Sequence, residues 1–310
     1  MKLLLLFLLS LSLYGGLITP KKTVKTSSPI LDVALYDKTL WAGSANGEVI
    51  HFDTKGKILS TVTLPSRVDS WGEKVIPKVM SLDVSSDGST VAVGSDEGKV
   101  FLIRNQKIVP TSYMTYGVIK KIAFVSDKRL MIALLSNEVV WFDIDANKVV
   151  KTISVGTSPL SDMALSKDKK IAAVAGEAGV ISLIDTAKMA VMRQIRGGNV
   201  DNIYDLDIQN GSIITAGQDR RAILYTMDGK SYVRYNGSFL IYAAALSPSA
   251  RVMGAALDEE NRLSFYDTQT RQKIATAKGH TATLNRIVFI DEKNVVSCAD
   301  ENKILYWELP

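Results

Sequence analysis

The chain has 310 residues and a formal net charge of +5, and 46% of its residues are hydrophobic and 22% charged. These values exclude a disordered or collagen-like chain. Cys298 is the only cysteine, so no disulfide can form within the chain, and His51 and His280 are the only histidines. Zinc sites and most general-base chemistry draw on Cys and His, so the composition disfavours an enzyme, a resident metal and a cofactor.

The N-terminus has the layout of a secretory signal peptide. Met1–Lys2 precedes an eleven-residue apolar run, Leu3–Leu13, which is followed by Tyr14-Gly15-Gly16. A membrane-spanning helix needs about 20 apolar residues, and this run is shorter. We therefore predict a signal peptide at 1–16 and one soluble, monomeric domain at 17–310, located in a bacterial periplasm. The alternatives are an uncleaved anchor and a buried strand.

The mature chain carries little excess charge. Removal of residues 1–16 takes away one lysine and leaves 36 − 32 = +4. The positive charge is spread along the chain rather than clustered, which disfavours a nucleic-acid partner. No later segment is apolar over 18 residues, so no membrane span is predicted in the mature chain.

Seven copies of one apolar pattern follow, with starts 49, 40, 41, 43, 38 and 43 residues apart. Each unit has three short, β-branched runs separated by polar turns, and a fourth, more polar run closes most units; the two middle runs are the most apolar. The first runs of the units are Ile30–Leu35, Val79–Val84, Ile119–Phe124, Leu160–Leu165, Ile203–Ile208, Ile241–Leu246 and Leu284–Phe289. A period of about 40 residues with four strands is typical of a β-propeller blade. The sequence therefore predicts an all-β, seven-bladed β-propeller.

The seventh unit ends at Pro310 without a fourth run. Residues Lys21–Ser27 precede the first unit and are polar and β-branched, as an outer strand would be. We predict that Thr23–Thr26 pairs with Ile304–Trp307 and closes the last blade. The alternative is that Lys21–Ser27 forms a mobile tail.

The first interval is long because of an insertion, Pro65–Pro77, between the first and second units. It combines an aromatic residue with charges of both signs, and exposed Trp and Arg dominate binding hot spots. We predict a partner-docking loop here; the alternative is that Trp71 packs on neighbouring blades. The candidate partner-binding residues are Arg67, Asp69, Trp71, Glu73 and Lys74.

Two further segments are weaker candidates for partner binding. The segment from Tyr113 to Tyr116 (YMTY) offers two tyrosines, and Arg220-Arg221 lies in a hairpin turn. Isolated arginine pairs are usually solvated surface.

The last unit resembles a WD40 repeat. Gly279-His280 precedes its first strand, Ser297 lies in the second and Trp307 in the third. The resemblance implies a buried hydrogen-bonded set of His280, Ser297, Trp307 and an acidic turn residue, either Glu301 or Asp300. These five residues are predicted to be structural.

The whole chain also resembles the NapL family of accessory proteins for the periplasmic nitrate reductase. The resemblance rests on a secreted, single-chain propeller of this size and on the Leu64-Pro65…Trp71-Gly72…Pro77 insertion. It implies a non-catalytic platform that binds nitrate reductase subunits in the periplasm, as a maturation or electron-delivery helper.

Two other functions remain open. Asp32, Asp162, Asp205 and Arg286 lie near the starts of inner strands, and three carboxylates around one axis can bind Ca²⁺ through oxygen ligands. A propeller lactonase or hydrolase would use such a site, whereas the alternative is that these groups hold channel waters. An outer-membrane assembly scaffold is the other candidate.

Overall fold

A computed structural model describes residues 15–115 and 117–310, and all regular secondary structure within these residues is β-strand. Two short strands come first, β1 (Gly16–Ile18) and β2 (Lys22–Lys25). Seven sheets follow in chain order, one from each predicted unit, and form the blades of a β-propeller. The predicted fold is confirmed.

Each blade contributes consecutive antiparallel strands, with the first strand of the blade nearest the central axis. Blade 1 contains β3 (Ile30–Tyr36), β4 (Thr39–Ser44), β5 (Glu48–Asp53) and β6 (Ile58–Thr63), and the insertion then adds β7 (Arg67–Val68) and β8 (Lys74–Val75). Blade 2 contains β9 (Val79–Val84), β10 (Thr90–Ser95), β11 (Lys99–Arg104) and β12 (Lys107–Met114). Blade 3 contains β13 (Ile119–Ser126), β14 (Arg129–Leu134), β15 (Glu138–Asp143) and β16 (Lys148–Ser154).

The remaining blades repeat this order. Blade 4 contains β17 (Leu160–Leu165), β18 (Ile171–Gly176), β19 (Ile181–Asp185) and β20 (Ala190–Ile195). Blade 5 contains β21 (Ile203–Gln209), β22 (Ser212–Gly217), β23 (Arg221–Thr226) and β24 (Tyr232–Asn236). Blade 6 contains β25 (Ala244–Leu246), β26 (Val252–Ala256), β27 (Leu263–Asp267) and β28 (Lys273–Ala277), and blade 7 contains β29 (Leu284–Phe289), β30 (Asn294–Ala299) and β31 (Lys303–Glu308).

The N-terminal segment closes the ring, as predicted, but Lys22–Lys25 pairs with Lys303–Tyr306, one residue earlier on each strand than expected. Strand β2 pairs antiparallel with β31, with Thr23 opposite Leu305, and so supplies the fourth strand of blade 7. The inner strand β29 packs against β3 of blade 1, so the last blade contacts the first. The two chain ends are thereby held in one sheet.

Strand β1 is a feature that the sequence did not predict. It adds a fifth strand to blade 6 by pairing in parallel with β28, with Gly16 opposite Ala275 and Ile18 opposite Ala277. Among the described residues, strand pairing therefore begins at Gly16, one residue before the predicted domain boundary at Leu17.

Apolar side chains fill the spaces between neighbouring blades, and seven such clusters surround the axis. Middle strands are covered on both faces, so all six residues of β10 are buried, whereas six of the seven residues of the outer strand β16 are exposed. This contrast is the expected result of stacking sheets face to face. Cys298 is fully buried, and burial raises the pKa of its thiol, which keeps it protonated.

The inner strand of blade 6 is shorter than predicted. The expected strand is Ile241–Leu246, but β25 begins only at Ala244. In the segment before it, the Ile241 N–H donates to the Gly217 carbonyl oxygen of blade 5 (3.2 Å), and the Ala243 carbonyl oxygen accepts from the Ala256 N–H at the end of β26 (3.4 Å). Residues 15–115 and 117–310 contain no helix that is long and apolar enough to cross a membrane.

Candidate partner-binding site

The propeller has two faces with different connections. The turns between second and third strands lie on the same face as the connections from one blade to the next, because consecutive strands alternate in direction. We call this the insertion face, since the Pro65–Pro77 insertion lies on it. The other face, which carries the remaining turns within blades, is called the opposite face.

The insertion folds into a small hairpin. Arg67 pairs with Val75 and Val68 with Lys74 in strands β7 and β8. The Asp69 Oδ1 accepts hydrogen bonds from the backbone N–H groups of Trp71 and Glu73, both at 2.9 Å, and Gly72 takes a φ of 86° in the turn. Asp69 therefore fixes the turn that presents Trp71.

One side of this hairpin faces blade 2 and the other faces solvent. The Arg67 guanidinium bonds to the Glu97 carboxylate of the β10–β11 turn. Val68 and Lys74 are opposite one another on the other side, and Val68 is exposed. Trp71, in the turn, is 86% exposed. The alternative in which Trp71 packs on neighbouring blades is therefore wrong.

Tyr113 is wrongly predicted as a partner-binding residue. It is buried in the apolar cluster between blades 2 and 3, where its ring meets Phe142 edge-on at 5.5 Å. Burial raises the pKa of its hydroxyl to about 12. The reason is strand alternation, which turns this residue of β12 inward. Tyr116 lies outside the described residues.

The two arginines at the β22–β23 turn lie in different environments. Arg220 is exposed and has a φ of 61°. The Arg221 guanidinium instead bonds to the Gly198 carbonyl oxygen (3.3 Å) and lies 3.6 Å from Asp219. Arg221 is therefore half-buried in blade 5 and is not a free surface cation.

The two faces differ in their exposed apolar residues. Several large, exposed hydrophobic residues lie in loops, in the hairpin or at the final residue of an outer strand on the insertion face: Val68, Trp71, Ile76, Met114, Leu135, Val200 and Phe239. At the opposite face, the described turns carry none, and by the same criterion only Ile58 and Tyr232, the first residues of the outer strands β6 and β24, are counted. The insertion face is thus the more apolar one, as expected of a protein-binding surface.

Aromatic side chains also border the central channel on this face. Tyr204 and Tyr242 occupy equivalent places in blades 5 and 6, and their rings stack with centroids 4.7 Å apart. The Tyr204 hydroxyl donates to the Gln218 Oε1 (2.6 Å). Tyr204 and Met80 border a cavity of about 200 Å³ at the channel mouth.

Charged side chains in the channel pair with one another. The Lys121 Nζ lies 2.7 Å from the Asp32 Oδ1. The Arg286 Nη1 bonds to both the Asp162 and Asp205 carboxylates, and the Arg286 Nε lies 3.7 Å from Asp32. Two cations thus occupy the space among the three carboxylates that the sequence suggested for Ca²⁺.

The same carboxylates also join neighbouring blades. Asp32 accepts the N–H of Leu82 in blade 2 (3.0 Å), and Asp162 accepts the N–H of Leu206 in blade 5 (3.0 Å). Asp205 likewise accepts the N–H of Ala244 in blade 6 (2.9 Å). Each bond links an inner strand to the next around the ring, so these residues stabilise the assembly of blades.

Burial in the channel alters the acidity of these groups. Burial raises the pKa of Asp205 well above its ordinary value of 3.8, and repulsion from Asp162 adds to the shift although Arg286 opposes it. Residues 15–115 and 117–310 contain no group of three or more His, Cys, Asp or Glu that could hold a metal ion. The channel suggested as a Ca²⁺ site therefore has the geometry of a structural ion-pair network.

The WD40-like set of blade 7 is assembled in the sheet. The Trp307 Nε1–H donates to the Ser297 Oγ (2.8 Å), which lies 2.6 Å from the His280 Nε2. The His280 Nδ1 lies 2.5 Å from the Glu301 Oε1. Glu301 is thus the acidic member, and Asp300 is outside the set and accepts from the Asn285 Nδ2 (3.1 Å).

Blade 5 contains a second set, which the sequence reading missed. The Thr215 Oγ1 donates to the Asn199 Oδ1 (2.6 Å), the Tyr225 hydroxyl lies 3.1 Å from that same oxygen, and the Asn199 Nδ2 lies 3.2 Å from Asp219. In chain order, the four residues of this set are 16, 4 and 6 positions apart. The corresponding spacings in blade 7, from the His through the Ser and the Glu to the Trp, are 17, 4 and 6. The spacing was available in the sequence, but Asn and Tyr replace the diagnostic His and Trp.

A comparison with known protein families shows the family of this propeller. The family described as Nucleolar protein 10-like, N-terminal domain, matches residues 7–182, which is more than half of the chain. The chain belongs to this family. The matched region begins within the apolar N-terminal run and ends in β19 of blade 4. A search of curated proteins finds no match. The family match supports a propeller and does not confirm the NapL resemblance.

Proposed function

We propose that the protein is a non-catalytic interaction platform that binds a protein partner on its insertion face, with the hairpin as the principal docking element. The observation that carries this proposal is the exposure of Trp71, 86% on a turn fixed by Asp69. Because the turn is already fixed, its backbone loses little further conformational entropy on binding, and the Trp side chain can bury a large area.

Charge and apolar surface are combined on the hairpin in the way that binding hot spots require. Val68 and Trp71 supply apolar area, and Lys74 lies beside Val68 across the two strands. Glu73 follows the turn and is exposed. Such a surface suits a partner with an apolar pocket bordered by charges of both signs, because Trp anchors bury in pockets and rim charges orient the encounter.

A finer proposal concerns location and partner. We infer an exported, monomeric protein that acts in the periplasm as an accessory of nitrate reductase, either in maturation or in electron delivery. The apolar run Leu3–Leu13 and the Leu64-Pro65…Trp71-Gly72…Pro77 insertion support this inference. An outer-membrane assembly scaffold would use the same face with a different partner.

Binding of purified nitrate reductase subunits tests the proposal. We expect the wild-type chain to bind a periplasmic subunit and Trp71→Ala to bind at least tenfold more weakly, because loss of a hot-spot side chain costs about 2 kcal/mol or more. Met192→Ala is the matched control, since Met192 is 54% exposed on the outer strand of blade 4. Binding of outer-membrane assembly proteins instead of reductase subunits would replace the finer proposal but not the platform.

A metal analysis tests the absence of catalysis. The proposal expects no stoichiometric ion in the purified protein, since Lys121 and Arg286 already pair with the channel carboxylates. A bound ion together with hydrolysis of a lactone substrate would contradict a non-catalytic role.

A further inference from the structure

The outer edge of blade 6 is occupied by the chain itself. Strand β1 lies in parallel along β28 and places Gly16, Leu17 and Ile18 beside Ala275, Thr276 and Ala277. The Lys278 N–H donates to the Ile18 carbonyl oxygen (3.0 Å). A short segment of small and apolar residues therefore binds to the outer edge of one blade through backbone hydrogen bonds.

The edge that receives β1 has a local distortion. A β-bulge interrupts the pairing of β27 with β28 between Phe265 and Tyr266 and leaves Ile274 as the extra residue. Ile274 is partly buried and packs against the cluster between blades 6 and 7, together with Ile18. The extra residue of the bulge and the docked strand thus both pack on the same apolar cluster.

Three other blades have the same bulge with a large apolar residue at the equivalent place. These residues are Leu59 in β6, Val150 in β16 and Met192 in β20. All three are exposed, at 46%, 42% and 54%. Among the described strands, β6, β16 and β20 are the last strands of their sheets, so their outer edges have the geometry that β1 occupies in blade 6.

Strand β6 resembles β28 most in its chemistry. Natural edge strands are guarded by charged residues or proline, and β12, β16, β20 and β24 each contain Lys or Arg. Strand β28 also begins with a lysine, Lys273, but this residue precedes its bulge, whereas Lys151 of β16 and Arg193 of β20 follow theirs directly. The sequence of β6, ILSTVT, has neither a charge nor a proline. The bulge of β6 is followed by Ser60, Thr61 and Val62. These residues are small and uncharged, like Ala275, Thr276 and Ala277 after the bulge of β28.

The backbone of β6 offers donors on its open side. The Leu64 N–H donates inward to the Gly47 carbonyl oxygen of blade 1 (2.9 Å). Because successive N–H groups of a strand alternate in direction, those of Thr63 and Thr61 face outward. They correspond to Lys278 and Thr276 in blade 6, where Lys278 donates to β1.

We propose that the outer edge of β6 is a strand-docking site that accepts, in parallel, an extended segment of small and apolar residues from the protein partner. The proposal rests on the proposed function in taking the partner to be a protein, and it adds the chemistry of the segment that is recognised. The backbone groups of Thr61 and Thr63 bind the main chain, and Leu59 packs on an apolar side chain of the segment.

The position of β6 connects this edge to the hairpin. Thr63 is the last residue of β6, and the chain continues through Leu64 and Pro65 into β7. A segment parallel to β6 therefore runs toward the insertion face and ends beside the hairpin that carries Trp71. One partner can contact both sites, which raises the effective concentration at each of them.

A labelled peptide with the sequence of residues 15–20, Gly-Gly-Leu-Ile-Thr-Pro, tests the proposal on the full chain. Fluorescence anisotropy measures affinity, and deuterium exchange of β6 locates the site. We expect peptide to slow exchange in β6, and Thr61→Pro to weaken binding there by about tenfold, because proline removes an outward donor and leaves the inward bonds of the strand unchanged. Thr61→Lys, which adds a charge to the edge, is a second variant should the proline variant fail to fold.

Two controls make the result specific. Thr152→Pro is the same change at the equivalent residue of the lysine-containing edge β16 and should leave affinity unchanged. Trp71→Ala should also leave peptide binding unchanged, so that a failure of the edge site is distinguishable from a failure of the hairpin site.

Three results would overturn the docking site. One is equal affinity of wild type, Thr61→Pro and Thr61→Lys. Another is protection confined to β28 of blade 6, which would show exchange with β1 only. The third is self-association in sedimentation that Thr61→Pro abolishes, which would make the occupant a second copy of this chain.

Discussion

The central channel and the insertion hairpin contain the same kinds of residue in opposite environments. In the channel, Arg286 is largely enclosed and lies among three aspartates of other blades. In the hairpin, Arg67 is about half exposed and pairs with one carboxylate at the surface. Outside the channel, the ring also buries a tryptophan: Trp307 in β31 is buried and hydrogen-bonded, whereas Trp71 projects into solvent.

This difference separates residues that hold the ring from residues that are free to bind. Every channel carboxylate named above accepts an N–H from the next blade, so the polar groups near the axis are committed to the fold. The hairpin is joined to the ring mainly by its two ends and by Arg67, and the side chains at its turn are exposed. The predictions below test this separation, beginning with the largest effect on stability.

Arg286→Met should lower the free energy of unfolding by about 3–5 kcal/mol, because it leaves buried carboxylates without their cation. Arg67→Met in the hairpin is the matched control and should cost less than about 1 kcal/mol, as expected for a surface ion pair. Denaturant unfolding of both variants measures the difference. Adding Asp205→Asn to Arg286→Met should restore part of the stability, and failure to do so would show that the ion pairs are not the cause.

Ser297→Ala should destabilise the protein by about 1–3 kcal/mol, since the Trp307 indole N–H and the His280 Nε2 both lose their buried partner. Thr215→Ala in the corresponding set of blade 5 should have an effect in the same range. Ser70→Ala, in the exposed hairpin turn, should remain within about 0.5 kcal/mol of wild type. Equal stability of the three variants in thermal unfolding would remove the structural role assigned to the two buried sets.

The stability of the fold should fall as the pH is lowered below 6.5, in part through His280. Burial lowers the pKa of His280 from 6.5, although the Glu301 carboxylate opposes the shift. Between 6.5 and that lower pKa, the unfolded chain binds a proton that the folded chain does not, so acidification favours unfolding. His280→Gln should flatten this part of the pH profile relative to wild type, and an unchanged profile would contradict a neutral buried imidazole.

Trp71→Ala should change the free energy of unfolding by less than about 1 kcal/mol, because an exposed side chain contributes little to the core. Its effect should appear in partner binding instead. A large fall in melting temperature would show that Trp71 packs against the ring and would remove the distinction between hairpin and channel.

The repeats could be predicted from the sequence because each blade buries the same apolar pattern. The inner strands β9, β17 and β29 have the bounds that the repeated pattern predicts. The closure of blade 7 by β2 was also predictable, since the seventh unit lacks a fourth run. Strand β1 and the hairpin strands β7 and β8 have only two or three residues, and their existence depends on partners that no local pattern specifies.

The site was less predictable than the fold. The hairpin's composition indicated Trp71, but its exposure depends on which side of β7 faces blade 2. Tyr113 was a weaker candidate on composition and is buried by the alternation of β12. The ion pairs of Arg286 join residues 81 and 124 positions apart, and only ring closure brings them together.

The central claim is that a partner binds the insertion face at the hairpin. A photo-reactive amino acid at position 74, on the solvent side of the hairpin, tests it most directly when compared with one at position 230, in an exposed turn of the opposite face. The account predicts that the bound partner forms adducts with position 74 and none with position 230. Adducts at position 230 and none at position 74 would contradict it.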